Sequence, residues 1–361
     1  MEIDFDKEMV GTVPVPEADQ LDLEKLTAWF ETNVEGFAGP ISYTKFKGGQ
    51  SNPTYKIETP GPDGTGTNYV LRRQPFGKLL PSAHAVDREY AAMTGLYPTG
   101  FPVPRTYGLC EDPEVLGSKF FVMSMADGRS LWNGALPDCT KEERRELYNS
   151  LIDTIADMHL KNPEEIGLGD YGKPVDYCAR QISRWSKQYK LSETEHMPKM
   201  ERLIEWLPET IPPQHESSVV HGDYRLDNVI FHKTENRVIA VLDWELSTLG
   251  DPIADFSYLM LNWFQPADGR AGLLGLDLEA LGIPNVQEAV DRYVARTGYP
   301  VPPMEWYFAY NLFRLAGIMQ GIKKRVIDGT ASSAHAKAMS DRVAPLVERA
   351  YQFAREAGMP E

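Results

Sequence analysis

The sequence predicts an α+β chain of two unequal lobes, a small antiparallel-sheet lobe followed by a larger helical one. Of 361 residues, 42% are hydrophobic and 25% charged, the make-up of a globular chain long enough to bury a sizeable core without cross-links. The apolar pattern changes once, near residue 128. Before it come a short helix and then strand-like runs; after it helical periodicity dominates, apart from one hairpin between residues 229 and 242. Neither an internal repeat nor a low-complexity tract divides the chain further. The expected layout is a sheet-bearing lobe over 1–125, a hinge at 124–128 and a helical lobe over 129–361.

Leu23, Leu26, Phe30 and Val34 recur at helical spacing and predict a first helix over 19–34. Strands over 41–46 and 54–58 flank Gly48-Gly49-Gln50-Ser51-Asn52, where Gly and Asn tolerate positive φ and mark a turn. A second turn, over 60–66, precedes a strand over 69–73. Val86, Tyr90 and Met93 share one face of a helix over 83–97 that packs on those strands. The apolar run 119–125 is a strand ending at Ala126-Asp127-Gly128. Thr140 and Glu143 form a capping box that opens a helix carrying Leu147, Leu151, Ile155 and Met158. Further helices are expected over 175–190, 254–264, 286–296, 304–325 and 334–357.

Charge and cysteine usage exclude several classes. With 37 basic and 52 acidic residues the formal charge is −15, whereas a duplex nucleic-acid binder more often shows a basic surplus. An anionic ligand must therefore find a local basic pocket. Cys110, Cys139 and Cys178 are odd in number and far apart, which supports neither a disulfide framework nor a structural zinc site. The acidic start and the lack of a long apolar run lead us to expect a cytoplasmic protein with no membrane partner.

The densest cluster of chemically useful groups is His221-Gly222-Asp223-Tyr224-Arg225-Leu226-Asp227-Asn228. Two β-rich runs around a polar turn follow it, and then Asp243-Trp244-Glu245. With Glu235 and Asn236 at the hairpin tip, paired residue numbers sum to 471, so Asn228 is expected to face Asp243 across the open end. An Asn amide oxygen beside a carboxylate makes a pair of hard ligands suited to Mg²⁺. Asp223, on the loop just before, can accept the proton of an attacking hydroxyl while the metal neutralises phosphate charge. Isolated Asp and Asn residues usually just cap turns. Here five polar groups converge at one open end, which favours phosphoryl-transfer chemistry over that bland alternative.

These motifs resemble those of the kinase-like phosphotransferases that include aminoglycoside phosphotransferases and choline kinases. The resemblance rests on Asp223 and Asn228 in a H-x-D-x-x-x-x-N loop, and on Asp243 in place of the metal-binding Asp of the kinase D-F-G motif. More narrowly, residues 221–228 and 241–255 look like the kinase-like domain of acyl-CoA dehydrogenase family members 10 and 11, with the likeness running over about residues 40 to 345. It implies a bilobal protein-kinase-like fold, with ATP and Mg²⁺ as cofactors. Asp223 is then the base, Asn228 and Asp243 are the metal ligands, and Arg225 touches the transferred phosphate. Arg72, in Tyr69-Val70-Leu71-Arg72, stands where kinases carry a Lys, and would hold the α and β phosphates and pair with Glu89. Arg73 competes for that role, because a slip of one residue exchanges their faces. Gly49, Ser51 and Asn52 lie in the turn that would cover the phosphates, and the Ser124 carbonyl and Ala126 N–H would pair with adenine. Asp255 resembles the helix Asp that props up the catalytic loop, and His221 is expected to orient that loop. His159, on an apolar helix face, is expected to be a satisfied core histidine. Trp244 and Glu245 depart from the Phe and Gly of D-F-G, so a Phe-flip switch does not transfer; Glu245 is expected to orient the metal or its waters.

Neither G-x-x-x-x-G-K-[ST] nor G-x-S-x-G occurs, which disfavours Walker-type NTPases and α/β-hydrolases. The seven histidines form no H-x-H pair and no H-E-x-x-H, so a metallophosphatase is a distant alternative. The acceptor implied by the narrower resemblance is a hydroxyacyl-CoA, best a 4-hydroxyacyl-CoA thioester, with a separate acyl-CoA dehydrogenase as functional partner. An aminoglycoside acceptor, another small-molecule alcohol, or a nucleotide-binding pseudokinase scaffold are the alternatives. Lys323-Lys324-Arg325 ends a helix, where it either complements the dipole or meets a CoA phosphate.

Overall fold

The computed structural model describes residues 10–47, 52–62, 64–76, 84–329 and 340–361. Six strands, β1 (Thr12–Val13), β2 (Ser42–Phe46), β3 (Thr54–Thr59), β4 (Thr67–Arg73), β5 (Thr106–Cys110) and β6 (Phe120–Ser124), form an antiparallel sheet in the order β1-β2-β3-β4-β6-β5. The central strands are covered on both faces, and successive side chains alternate between them. Tyr69 and Leu71 of β4 and Phe120 and Val122 of β6 pack with Leu26 and Phe30 of α1 (Leu23–Asn33). Val70, Phe121 and Met123 point the other way, into a core shared with α2 (Val86–Leu96) and the helical half of the chain. The alternation puts the two arginines on opposite faces: Arg72 shares the α2 face with Val70, and Arg73 shares the α1 face with Leu71. Arg73 is fully buried there, with Nε on the Tyr55 hydroxyl at 3.2 Å and its guanidinium over the Phe76 ring at 3.8 Å.

After β6 the chain passes through residues 125–128 into β7 (Arg129–Ser130) and then into helices. Gly128 packs so closely on the Phe231 carbonyl and Ile230 that a Cβ would overlap both. The longer helices that follow among the described residues are α3 (Lys141–His159), α4 (Tyr177–Ser192), α5 (Pro198–Glu209), α6 (Pro252–Met260), α7 (Val286–Thr297), α8 (Glu305–Ile327) and α9 (Val343–Glu356). The Thr140–Glu143 capping box is present, with Thr140 N–H on Glu143 Oε2 at 2.7 Å. Several sequence expectations need correction. The first helix starts at Leu23, capped by Asp22, after a separate short turn of 3-10 helix. The expected 254–264 helix is α6 followed by 3-10 helix over Leu261–Phe264. Helix α5 and strands β1 and β5 were not anticipated. Among the described residues no helix is long and apolar enough to cross a membrane.

Residues 218–250 form a nested hairpin. The outer pair is β8 (Ser218–Val220) with β11 (Thr248–Gly250), and the inner pair is β9 (Val229–Phe231) with β10 (Val238–Val241). Between the two pairs the chain is released as two facing loops, 221–228 and 242–247. The expected register is off by one at the open end. Val241 pairs with Val229, and the Leu242 N–H donates to the Asn228 carbonyl at 2.9 Å, so Asn228 faces Leu242 and not Asp243. The register shifts between Val238 and Ala240, an irregularity that sequence alternation does not announce.

Candidate active site

Main-chain and histidine bonds position the 221–228 loop. Asp255, on α6, accepts the N–H groups of His221 and Gly222 on its two oxygens, at 2.7 and 2.8 Å, and His159 Nε2 lies 3.2 Å from it. Burial alone would raise the Asp255 carboxyl; the bonds from His159 and the loop hold it below the ordinary range. His159 Nδ1 meets the Tyr293 hydroxyl at 2.7 Å, so this histidine is fully engaged in the core. His221 Nδ1 accepts the Asp223 N–H at 3.2 Å, which leaves Nε2 as the donor to the Leu242 carbonyl at 2.8 Å. One imidazole thus ties the two loops together. Gly222 has φ +81, and a Cβ there would sit 2.8 Å from the Leu246 carbonyl oxygen. Gly222→Ala is therefore expected to cost about 2–3 kcal/mol, read as a lower midpoint in urea denaturation.

Asp223, Arg225 and Asn228 come together. Asn228 Nδ2 donates to the Asp223 main-chain carbonyl at 2.8 Å and to Oδ2 at 3.0 Å. Arg225 Nε lies 3.1 Å from Asp223 Oδ1, and its Nη2 lies 3.2 Å from Asp227 Oδ2. A residue that sequence reasoning missed completes the shell: the Tyr258 hydroxyl donates to Asp223 Oδ1 at 2.6 Å.

The second cluster spans the lobes. Arg72 Nε donates to Glu89 on α2 at 2.9 Å, and Arg72 Nη2 reaches Asp243 Oδ1 at 2.5 Å. Asn52 is fully buried, with its amide on Glu89 Oε1 at 3.1 Å, so its side chain supports Glu89 from below. Gly49 and Ser51 lie outside the described residues. Burial pushes the Glu89 carboxyl well above the ordinary carboxylate range; Arg72 opposes this, and Asp243 and Glu245 reinforce it. Arg72 bridges Glu89 and Asp243, and removing it leaves the buried Glu89 carboxyl without its guanidinium. Arg72→Met is accordingly expected to lower stability by about 3 kcal/mol in urea, with Glu89→Gln in the same chain restoring part of it.

Asp243 sits in the left-handed region at φ 64, ψ 58, at the turn out of β10. Behind it Trp244 is fully buried, donating Nε1–H to the Val241 carbonyl at 3.0 Å and packing on His221 and Phe101. The donor set fits a hard divalent ion. Both Asn228 bonds use Nδ2, leaving Oδ1 as a ligand atom, and Glu89, Asp243 and Glu245 each offer a carboxylate oxygen within 4.8 Å of one another. At the hinge, Ser124 exchanges bonds with Arg105, its N–H to the carbonyl at 2.8 Å and its Oγ from the N–H at 2.9 Å. Among the described residues the Ala126 N–H has no protein partner, so it can serve a ligand. Lys323 and Lys324 lie within ion-pair reach of Glu195 and Asp328. A cavity of about 960 Å³, lined by Phe101, Asp153 and Arg292 among others, lies behind β10 and includes none of the cleft groups.

One loop thus carries a carboxylate held beside an amide, and the loop tied to it carries a second carboxylate that a guanidinium links to the sheet lobe. The phosphotransferase enzyme family model matches residues 42–289, and the chain belongs to that family, a class of small-molecule kinases. It is 40% identical over 325 residues to acyl-CoA dehydrogenase family member 10 of Mus musculus, covering 89% of this chain and 30% of that protein. To family member 11 of Rattus norvegicus it is 36% identical over 363 residues, covering 98% and 46%. The chain thus spans less than half the length of these curated relatives. A crystal structure from Ralstonia eutropha, of a protein named for the aminoglycoside phosphotransferases, matches with a TM-score of 0.84 at 47% identity, over 93% of this chain and 99% of that one. The bilobal kinase-like fold alone is shared with spectinomycin phosphotransferase in complex with ADP and spectinomycin, at 11% identity and a TM-score of 0.57, over 92% and 98%.

Proposed function

We propose that this chain transfers the γ-phosphoryl group of ATP to a hydroxyl of a small molecule, and that the acceptor is a hydroxyacyl-CoA, best a 4-hydroxyacyl-CoA. The observation that carries the transfer is that the Asp223–Asn228 pair and the Arg72–Asp243 pair stand on two loops tied together through His221, Asn228 and Leu242. Asn228 Oδ1 and Asp243 would hold Mg²⁺, which neutralises phosphate charge when bound. Arg72, already fixed by Glu89, turns its guanidinium to the α and β phosphates. Asp223 accepts the proton of the acceptor hydroxyl as its oxygen bonds to the γ-phosphorus and the bond to the ADP oxygen breaks. Arg225, two residues on, faces the group in transit. Main chain at Ser124 and Ala126 receives the base.

Support for the acceptor comes from the relatives, whose names are those of acyl-CoA dehydrogenases. A phosphorylated hydroxyl is a better leaving group, so phosphorylation prepares a hydroxyl on an acyl chain for removal, with a dehydrogenase acting on the same thioester. The test is to incubate the protein with Mg²⁺ and ATP against 4-hydroxyacyl-CoA, 3-hydroxyacyl-CoA, free hydroxy acids, choline and an aminoglycoside. Product is followed by mass, a gain of about 80 daltons marking one phosphoryl group. Product on a hydroxyacyl-CoA supports the whole proposal. Product on the aminoglycoside alone keeps the transfer and removes the acceptor; nucleotide binding without product overturns both.

A further inference from the structure

Helix α6 reaches the catalytic loop twice from one face. Asp255 holds the loop's main chain, and Tyr258, three residues on and so on the same side of the helix, holds its key side chain. The second contact is as deliberate as the first. Tyr258 is buried, at 6% exposure, and its hydroxyl makes the shortest of the bonds to the Asp223 carboxylate. The Arg314 guanidinium, on α8, lies over the Tyr258 ring at 5.1 Å and bonds the Gly222 carbonyl. Asn311, one turn before Arg314, fixes α6 itself through the Ala254 carbonyl at 3.1 Å and Ser257 Oγ at 3.0 Å.

A carboxylate's terminal torsion is broad and nearly two-fold, so the backbone does not choose which oxygen faces a substrate. Asn228 sits on Oδ2, while Oδ1 takes the Tyr258 hydroxyl at 2.6 Å and lies 3.1 Å from Arg225 Nε, a side chain that is more exposed and shared with Asp227. Burial, then the nearby Asp223, push the Tyr258 hydroxyl up, so it stays a donor. We infer that Tyr258 is a positioning residue for phosphoryl transfer: its hydroxyl holds the Asp223 carboxylate in the orientation from which it meets the acceptor hydroxyl. The inference rests on the phosphotransfer proposed above.

Tyr258→Phe removes the hydroxyl and keeps the ring under Arg314. Expected is a fall in kcat of about 10- to 100-fold, with KM for ATP, Mg·ATP affinity and melting temperature close to those of the unmodified chain. A purely structural tyrosine would move the last three instead. Turnover within about twofold of the unmodified chain, while Asp223→Ala loses it, would overturn the role and leave the phosphotransfer standing. An unmodified chain that binds nucleotide and releases no ADP, with any acceptor or with water, overturns both. Should the Phe variant melt early, the unmodified chain labelled with ¹³Cζ-tyrosine reads the contact directly. A Tyr258 resonance that moves in Asp223→Asn supports the role, and one that stays put overturns it.

Discussion

Replacing Asp223 with Ala is expected to lower turnover about a thousandfold while Mg·nucleotide affinity stays within about threefold of the unmodified chain. The separation follows from how the neighbours are held. Asn228 keeps its 2.8 Å bond to the main-chain carbonyl of residue 223, which an Ala still supplies, so the amide remains in place. Arg225 keeps Asp227. The loop's own frame, from Asp255 and His221, contacts only main chain at this position. What disappears is the proton acceptor and the orientation it gives the incoming hydroxyl. Single-turnover ADP release and nucleotide titration measure the two halves separately; substantial residual turnover would remove Asp223 from the role of base.

Asp243→Ala should act on the other half, lowering Mg·ATP affinity by about 100-fold or more, because one carboxylate ligand and its charge are lost together. Two further effects belong to this position. An Ala in the left-handed region costs about 1–2 kcal/mol, and Arg72 loses its link between the lobes while keeping Glu89. Asp243→Asn separates these, since Asn tolerates that backbone and removes only the charge. Both variants should lose Mg·ATP affinity in calorimetry, and only the Ala variant should also melt markedly earlier. Unchanged affinity in both would break the metal assignment.

The sequence made the loops legible and left their relation open. Asp223, Asn228 and Asp243 stand out because polar residues interrupt apolar runs, and the spacing alone marks a hairpin. The cross-strand partner of Asn228 came out one residue wrong, since the register shift near Ile239 carries no signature in alternating hydrophobicity. Arg72 and Arg73 were indistinguishable until β4 had a register: both are buried, and period-two alternation says only that they face opposite ways. Helix α5 buries Met200, Leu203 and Leu207 at helical spacing, but Pro198 and Pro208 at its two ends read as loop signals. Tyr258 was hidden for a different reason. Helix α6 is buried throughout, so periodicity singles out no face, and a tyrosine among apolar neighbours looks like packing.

Trp244 has a consequence for control. To withdraw Asp243 from the cleft by rotating this segment, the indole next to it would have to leave its place against His221 and Phe101. Exposing a side chain that buries roughly 200 Å² costs about 5 kcal/mol, which leaves about one molecule in several thousand in a withdrawn state. The indole thus acts as a fixed post behind Asp243: its packing, and not the carboxylate's own bonds alone, resists displacement of this turn.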